Sequence, residues 1–287
     1  MKILKFLSIG VLLLTGCERL SSMPYLPKQT ADTWLKMQPF VNLKIGSSHF
    51  ILTQPSSTIL IYLLGFITLT AGAIVFHHRG IHKSRTWWAI ALLLWGIGAF
   101  FAGTSYQAFG YQIKCLGRDL CSWTSWWEIA YMLVTVASVN AMLVAGAYSS
   151  ATGRLRKSMI AYGLFNISLY IVVIALGVIL LNRFMISFEL LLIFCGPNIL
   201  FLFIQNLIRS SKTNQKLDRF LRAAWIWLGM TIIAYYLYLT LGYSEKLWER
   251  GIWFHANDVL HVGLIIWMVF LSINISRRMV DLPINES

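Results

Sequence analysis

The sequence predicts an all-α integral membrane bundle of seven transmembrane helices, with the N-terminus outside and the C-terminus in the cytoplasm. Three observations predict it. The 287 residues are 57% hydrophobic and only 12% charged, where a soluble chain carries charge at roughly a quarter of its positions. The apolar residues gather in seven runs, each near the ~20 residues that a bilayer core demands. Lysine and arginine alternate between loops, thirteen at one set of helix ends and five at the other. The positive-inside rule assigns the richer set to the cytoplasm.

The N-terminal stretch reads differently from the runs. Lys2 and Lys5 precede an apolar stretch, Phe6 to Leu14, too short to span and of signal-peptide length. It ends in Leu14-Thr15-Gly16-Cys17, which looks like a bacterial lipoprotein lipobox. Residues 1–16 are therefore expected to be a signal peptide of lipoprotein type, with Cys17 lipidated; the other reading is an uncleaved anchor that leaves the orientation unchanged. Residues 17–57 are polar and Pro-containing, an expected external arm lying on the membrane surface with a short helix near Thr30 to Met37.

The membrane domain is expected over 58–276. Its runs are Thr58 to Phe76, Thr86 to Thr104, Trp126 to Tyr148, Met159 to Leu181, Met185 to Ile208, Leu221 to Tyr243 and Trp253 to Ile275. Residues 277–287 form an expected cytoplasmic tail. The connection Asn182-Arg183-Phe184 is tight and implies an antiparallel helical hairpin. Gly98 and Ala102, small residues four apart, predict close helix packing. Pro197 predicts a kink in the fifth run, with Asn198 placed to satisfy a freed backbone group.

The cationic residues behind the net charge of +13 sit mostly in short loops, where they act as topology signals rather than as a nucleic-acid footprint; no basic patch with stacking aromatics is present. Cys115 and Cys121 share an outer loop with five residues between them, and an oxidising compartment favours a disulfide. Cys195, inside the fifth run, reads as a buried apolar residue. Trp123, Trp126, Trp127, Trp248 and Trp253 cluster at outer helix ends, either as an interfacial belt or as the lining of a pocket for a lipid-like ligand.

Ionisable residues inside a span are costly and are functional candidates. His255, Asp258 and His261 fall at the start of the seventh run. Asp258 and His261 are three residues apart and share a helix face with Asn257. At the same outer depth the second run ends in Gly103-Thr104-Ser105-Tyr106-Gln107-Ala108-Phe109, and the third begins with Trp127-Glu128. If the second, third and seventh helices are neighbours, Gln107, Glu128, Asp258 and His261 converge in one outer cavity; otherwise they are a structural hydrogen-bond network or separate polar groups.

At these residues the chain resembles the seven-helix hydrolase superfamily of alkaline ceramidases and progestin and adiponectin receptors. The Gly103-to-Phe109 stretch and Asn257-Asp258-Val259-Leu260-His261 look most like bacterial members of the ceramidase type. The resemblance implies Zn2+ held by Asp258 and His261, with Glu128 as third ligand or base. Gln107 or Tyr106 would then polarise a lipid carbonyl, and His255 would assist. The sequence departs from the family pattern at three places: Asn257 stands where the first histidine of the last-helix pair belongs, Gln107 stands where a second-helix histidine belongs, and Glu128 matches the acidic position only approximately.

Other chemistries lack their residues. No two histidines on facing helices could ligate a haem, no lysine in the last run could hold retinal, and there is no P-loop, GxGxxG or GxSxG. Three functions stay open: a metal-assisted hydrolase of amide or ester lipids, a non-catalytic lipid-binding or sensory protein, and an assembly factor or a small-solute transporter, the latter using mid-membrane polar residues such as Asn140 or Asn198. The expected partners are membrane lipids, and the expected location is the bacterial inner membrane.

Overall fold

The computed structural model describes residues 19–213 and 216–283. The signal segment and Cys17 lie outside the described residues.

Seven helices are long and apolar enough to cross a membrane. They are α2 (Pro55–His77), α3 (Lys83–Ala102, extended by a π-helical turn over Gly103–Ala108), α5 (Trp126–Ser150), α6 (Gly153–Leu180), α7 (Phe188–Thr213), α8 (Lys216–Thr240) and α10 (Ala256–Arg278). At 1.5 Å per residue the shortest of these, α2 and α10, run for about 34 Å, which covers a hydrocarbon core of about 30 Å. Short helices α1 (Ala31–Lys36), α4 (Gly110–Lys114) and α9 (Tyr243–Trp248) sit at one end of the bundle.

Helix α2 packs on α3, α3 on α5, α5 on α7, α7 on α8, α8 on α10, and α10 back on α2. Six helices thus close a ring, and α6 attaches to its outside through α5. Helix α5 is consequently the most enclosed, with 67% of its apolar window buried. Small residues permit the tightest pairings. A Cβ on Gly96 would come within 2.7 Å of Leu69, and one on Gly72 within 2.9 Å of Leu93, so α2 and α3 interlock through two glycines and two leucines. Without a hydrophobic drive between helices in lipid, such close packing is a main source of association. Gly98, by contrast, faces Val134 and Thr135 of α5.

Indole N–H groups stitch α8 to α10. Trp227 donates to the Gly263 carbonyl at 3.0 Å and Trp267 to that of Ala224 at 2.8 Å. On the other side Ser138 of α5 donates to the Ala91 carbonyl of α3 at 2.7 Å. Each satisfies a polar group where water is excluded.

The expected arm is a folded cap. Beyond α1, which falls where a short helix was expected, strands β1 (Phe40–Ile45) and β2 (Ser48–Thr53) form an antiparallel hairpin. Its two-residue turn begins at Gly46, whose φ of 61° suits glycine. Gln112 donates to the Ile51 carbonyl at 3.0 Å and the Phe50 and Phe109 rings lie 6.0 Å apart, which seats the hairpin on the end of α3. Cys115 and Cys121 are joined by a disulfide packed against Trp34. The disulfide loop pairs with the arm through Tyr25 N–H to Cys121 O, Cys121 N–H to Gln29 O and Trp123 N–H to Met23 O, each 2.8 Å.

At the opposite, basic end the tail is strapped down. Asp281 accepts the N–H groups of Lys83 and Ser84, and Arg156 and Tyr148 hold Leu282 from α6 and α5.

Candidate functional site

The polar residues at the cap end form two clusters rather than one. The first belongs to α3 and α5. The π-helical turn Gly103–Ala108, a kind of bulge frequent at functional sites, carries Ser105 toward α5. There the Ser105 hydroxyl donates to Glu128 at 2.8 Å and lies 2.7 Å from the Ser125 hydroxyl. Glu128 also forms an ion pair with Lys114, both side chains being buried. Lys114 lies 5.1 Å from the Tyr106 ring centroid, and Tyr106 meets Tyr131 edge-on at 5.9 Å. Gln107 is engaged elsewhere: its backbone carbonyl accepts the Thr53 hydroxyl at the end of β2, and its buried side-chain Oε1 has no hydrogen-bond partner among the described residues.

The second cluster belongs to α10 and α2. Asp258 sits at the third position of α10 and accepts the His255 backbone N–H at 2.7 Å, while the His255 ring Nδ1 accepts from Asn257 N–H at 3.2 Å. The pair is a capping box built with histidine. Ser56 and Ser57, in the first turn of α2, add hydroxyl donors to the two Asp258 oxygens at 2.7 and 2.5 Å. The His255 imidazole stacks on Trp248 with centroids 5.6 Å apart. Burial holds its pKa below the ordinary 6.5, against the opposing pull of Asp258 and Glu245. His261 lies one turn on from Asp258, buried, with no partner for Nδ1 among the described residues.

This arrangement follows from neighbour choice. Helix α10 packs chiefly on α2 and α8 and only grazes α3, so the second, third and seventh membrane helices do not meet as a trio. Glu128 and Asp258 therefore serve different helix pairs. Their donor sets do not suit zinc: Glu128 is engaged by an ammonium and a hydroxyl, and Asp258 by two hydroxyls and a backbone N–H. Among the described residues no group of three or more His, Cys, Asp or Glu side chains could hold a metal ion. A single orphaned imidazole nitrogen on His261 does not make a site.

A different feature lies deeper. Helices α6 and α7 both lean on α5, and their hairpin is closed at its turn, where a Cβ on Gly177 would come within 2.6 Å of Met185. Toward the basic end a cleft of about 350 Å3 is lined by both helices over α5. Its walls are apolar, from Leu143, Leu155, Met159, Pro197 and Phe201, with Ser158, Tyr162 and Asn198 as the polar contributions. Leu155, Tyr162 and Phe201 are also among the surface residues, so the cleft opens sideways, toward bilayer lipid.

Three buried asparagines from three helices support its inner end. Asn140 spends both amide hydrogens, on Val136 O and Asn166 Oδ1, each at 2.9 Å. A carbonyl can only accept, so Asn140 must turn Oδ1 toward Asn198, which donates to it at 3.1 Å. The chain of amides is thereby oriented, and Asn198 Oδ1 is left with no donor from the described residues. The sequence marks Asn140 and Asn198 as mid-membrane polar groups; Asn166 and Tyr162, which complete the cluster, carry no sequence signal beyond being polar in an apolar run.

In comparisons with protein-family models, with curated proteins and with solved structures, nothing matches the chain.

Proposed function

We propose that the chain is a non-catalytic, lipid-binding protein of the bacterial inner membrane, with its basic end in the cytoplasm. The observation that carries this reading is the lateral cleft between α6 and α7. It is apolar, of ligand-binding size, and lined by residues that face the bilayer. The engagement of Glu128 and Asp258 supports the non-catalytic part, because each carboxylate already has donors and neither shares a cavity with the other's cluster. The hydrolase resemblance supplies a seven-helix order, and the proposal keeps that order without the metal chemistry.

The test is the content of protein purified in mild detergent without chelators. Extraction and mass spectrometry should find a lipid retained near one per chain, and Ser158→Trp, which fills the exposed mouth of the cleft, should remove it. Stoichiometric zinc together with cleavage of lipid amides would overturn the reading.

A further inference from the structure

We infer that the occupant of the cleft is an anionic phospholipid from the leaflet at the basic end, one acyl chain in the cleft and its phosphate between Arg154 and Lys212. The inference rests on the lipid-binding reading and adds the headgroup class. Arg154 lies one turn before Ser158 on α6, so it shares the face that lines the cleft. Lys212 lies eleven residues after Phe201 on α7, three turns on and back on nearly the same face. The two cations thus lie on the basic-end side of the cleft, one on each of its two wall helices.

Both side chains are exposed. The ion pairs formed by the described residues are Lys114–Glu128 and Arg209–Asp218, so neither Arg154 nor Lys212 has a carboxylate partner among them. Two unneutralised cations beside an apolar slot match an anionic headgroup above a hydrocarbon chain. Basic sites between membrane helices on the cytoplasmic side bind such headgroups, each surface cation contributing about 1 kcal/mol. The Ser158 hydroxyl, at the mouth, can donate to a phosphate or glycerol oxygen. At the far end the amide cluster of Asn140, Asn166 and Asn198 fixes the helices that form the floor and limits how deep the chain reaches.

Native mass spectrometry of the full chain in detergent, titrated with phosphatidylglycerol and with phosphatidylcholine of the same acyl chains, tests this. Wild-type protein should bind phosphatidylglycerol about tenfold more tightly, and Arg154→Gln with Lys212→Gln should erase that preference by weakening phosphatidylglycerol binding more than phosphatidylcholine binding. Ser158→Trp should weaken both lipids. Equal binding of both lipids, lost in Ser158→Trp, would overturn the headgroup inference and leave the lipid-binding reading standing. Binding of either lipid that is indifferent to Ser158→Trp would sink both. A protein dimer in place of bound lipid, disrupted by the same variant, would assign the cleft to a second copy of the chain and overturn the inference. All three positions are exposed, so the variants should fold, and a near-wild-type melting temperature should accompany each.

Discussion

Asp281 accepts the backbone N–H of Ser84 at 2.8 Å, 197 positions earlier along the chain. Its other oxygen takes the Lys83 N–H at 2.7 Å. A residue beyond the last membrane helix therefore supplies the N-terminal cap that α3 lacks locally, since His82 makes no side-chain cap bond. Asp281→Ala should cost about 1 kcal/mol, and Asp281→Asn less. A fall in melting temperature with faster amide exchange at Lys83 and Ser84 would bear this out; unchanged exchange there would refute it.

The Lys114–Glu128 pair makes a second prediction. Removing one buried partner strands the other, so Glu128→Ala should destabilise by about 3–5 kcal/mol. Replacing both, as Lys114→Met with Glu128→Leu, should recover most of that loss. Thermal unfolding of the single and double variants reads the difference. A single variant as stable as wild type would show that the pair contributes no stability.

Gly96 faces Leu69 so closely that any side chain must displace it. Gly96→Leu should cost 1–3 kcal/mol or more by overpacking, and Leu69→Ala in the same chain should restore part of it. Gly80, with open space around its Cβ position but a φ of 55°, is a control of a different kind, sensitive to backbone conformation rather than to space.

Acidification should weaken the α10 N-terminus through His255. Its folded pKa is held below 6.5 by burial, so on acidification the unfolded chain takes up a proton before the folded one does. The associated stability is fully present above about pH 6.5 and is lost as pH falls through the lowered folded value. Protonation at Nδ1 also removes the acceptor for Asn257 N–H. Melting temperatures from pH 7.5 to pH 5 should fall more steeply in wild type than in His255→Gln, and parallel curves would exclude the residue as the cause.

Reduction of the Cys115–Cys121 bond should loosen the cap and spare the bundle. A short loop of this kind contributes about 2 kcal/mol. Amides of Tyr25, Cys121 and Trp123 should exchange faster after reduction, while those of α5 should not.

The fold was legible because its cause is written in composition. Seven runs of bilayer length and alternating basic loops suffice to order the helices along the chain, and α2 starts at Pro55, three residues before the expected boundary, because proline suits a first helical turn. The hairpin too has a sequence signature, beyond the short helix expected in the arm: Val41, Leu43 and Ile45 alternate with polar residues ahead of Gly46-Ser47, as in strands joined by a tight turn. Helix adjacency was not legible. Residues at one depth converge only if their helices touch, and which glycines oppose which leucines decides that. Gly98 and Ala102 carry the small-residue spacing, yet Gly98 faces α5, and glycines such as Gly96 and Gly72 bring α2 and α3 together. Nor does anything near Pro55 announce that Ser56 and Ser57 will engage a carboxylate some two hundred residues away.

The contacts between the arm and the disulfide loop join two stretches that lie on either side of α2 and α3. Both stretches return to the same face only once that helical pair has crossed the bilayer twice. The arm is synthesised first and must wait for its partner, so the clasp can fasten only after insertion and, for its sulfur bond, only on the oxidising side. In the orientation proposed above, a closed cap is thus a chemical record of correct delivery: a chain inserted upside down would leave its cysteines as thiols.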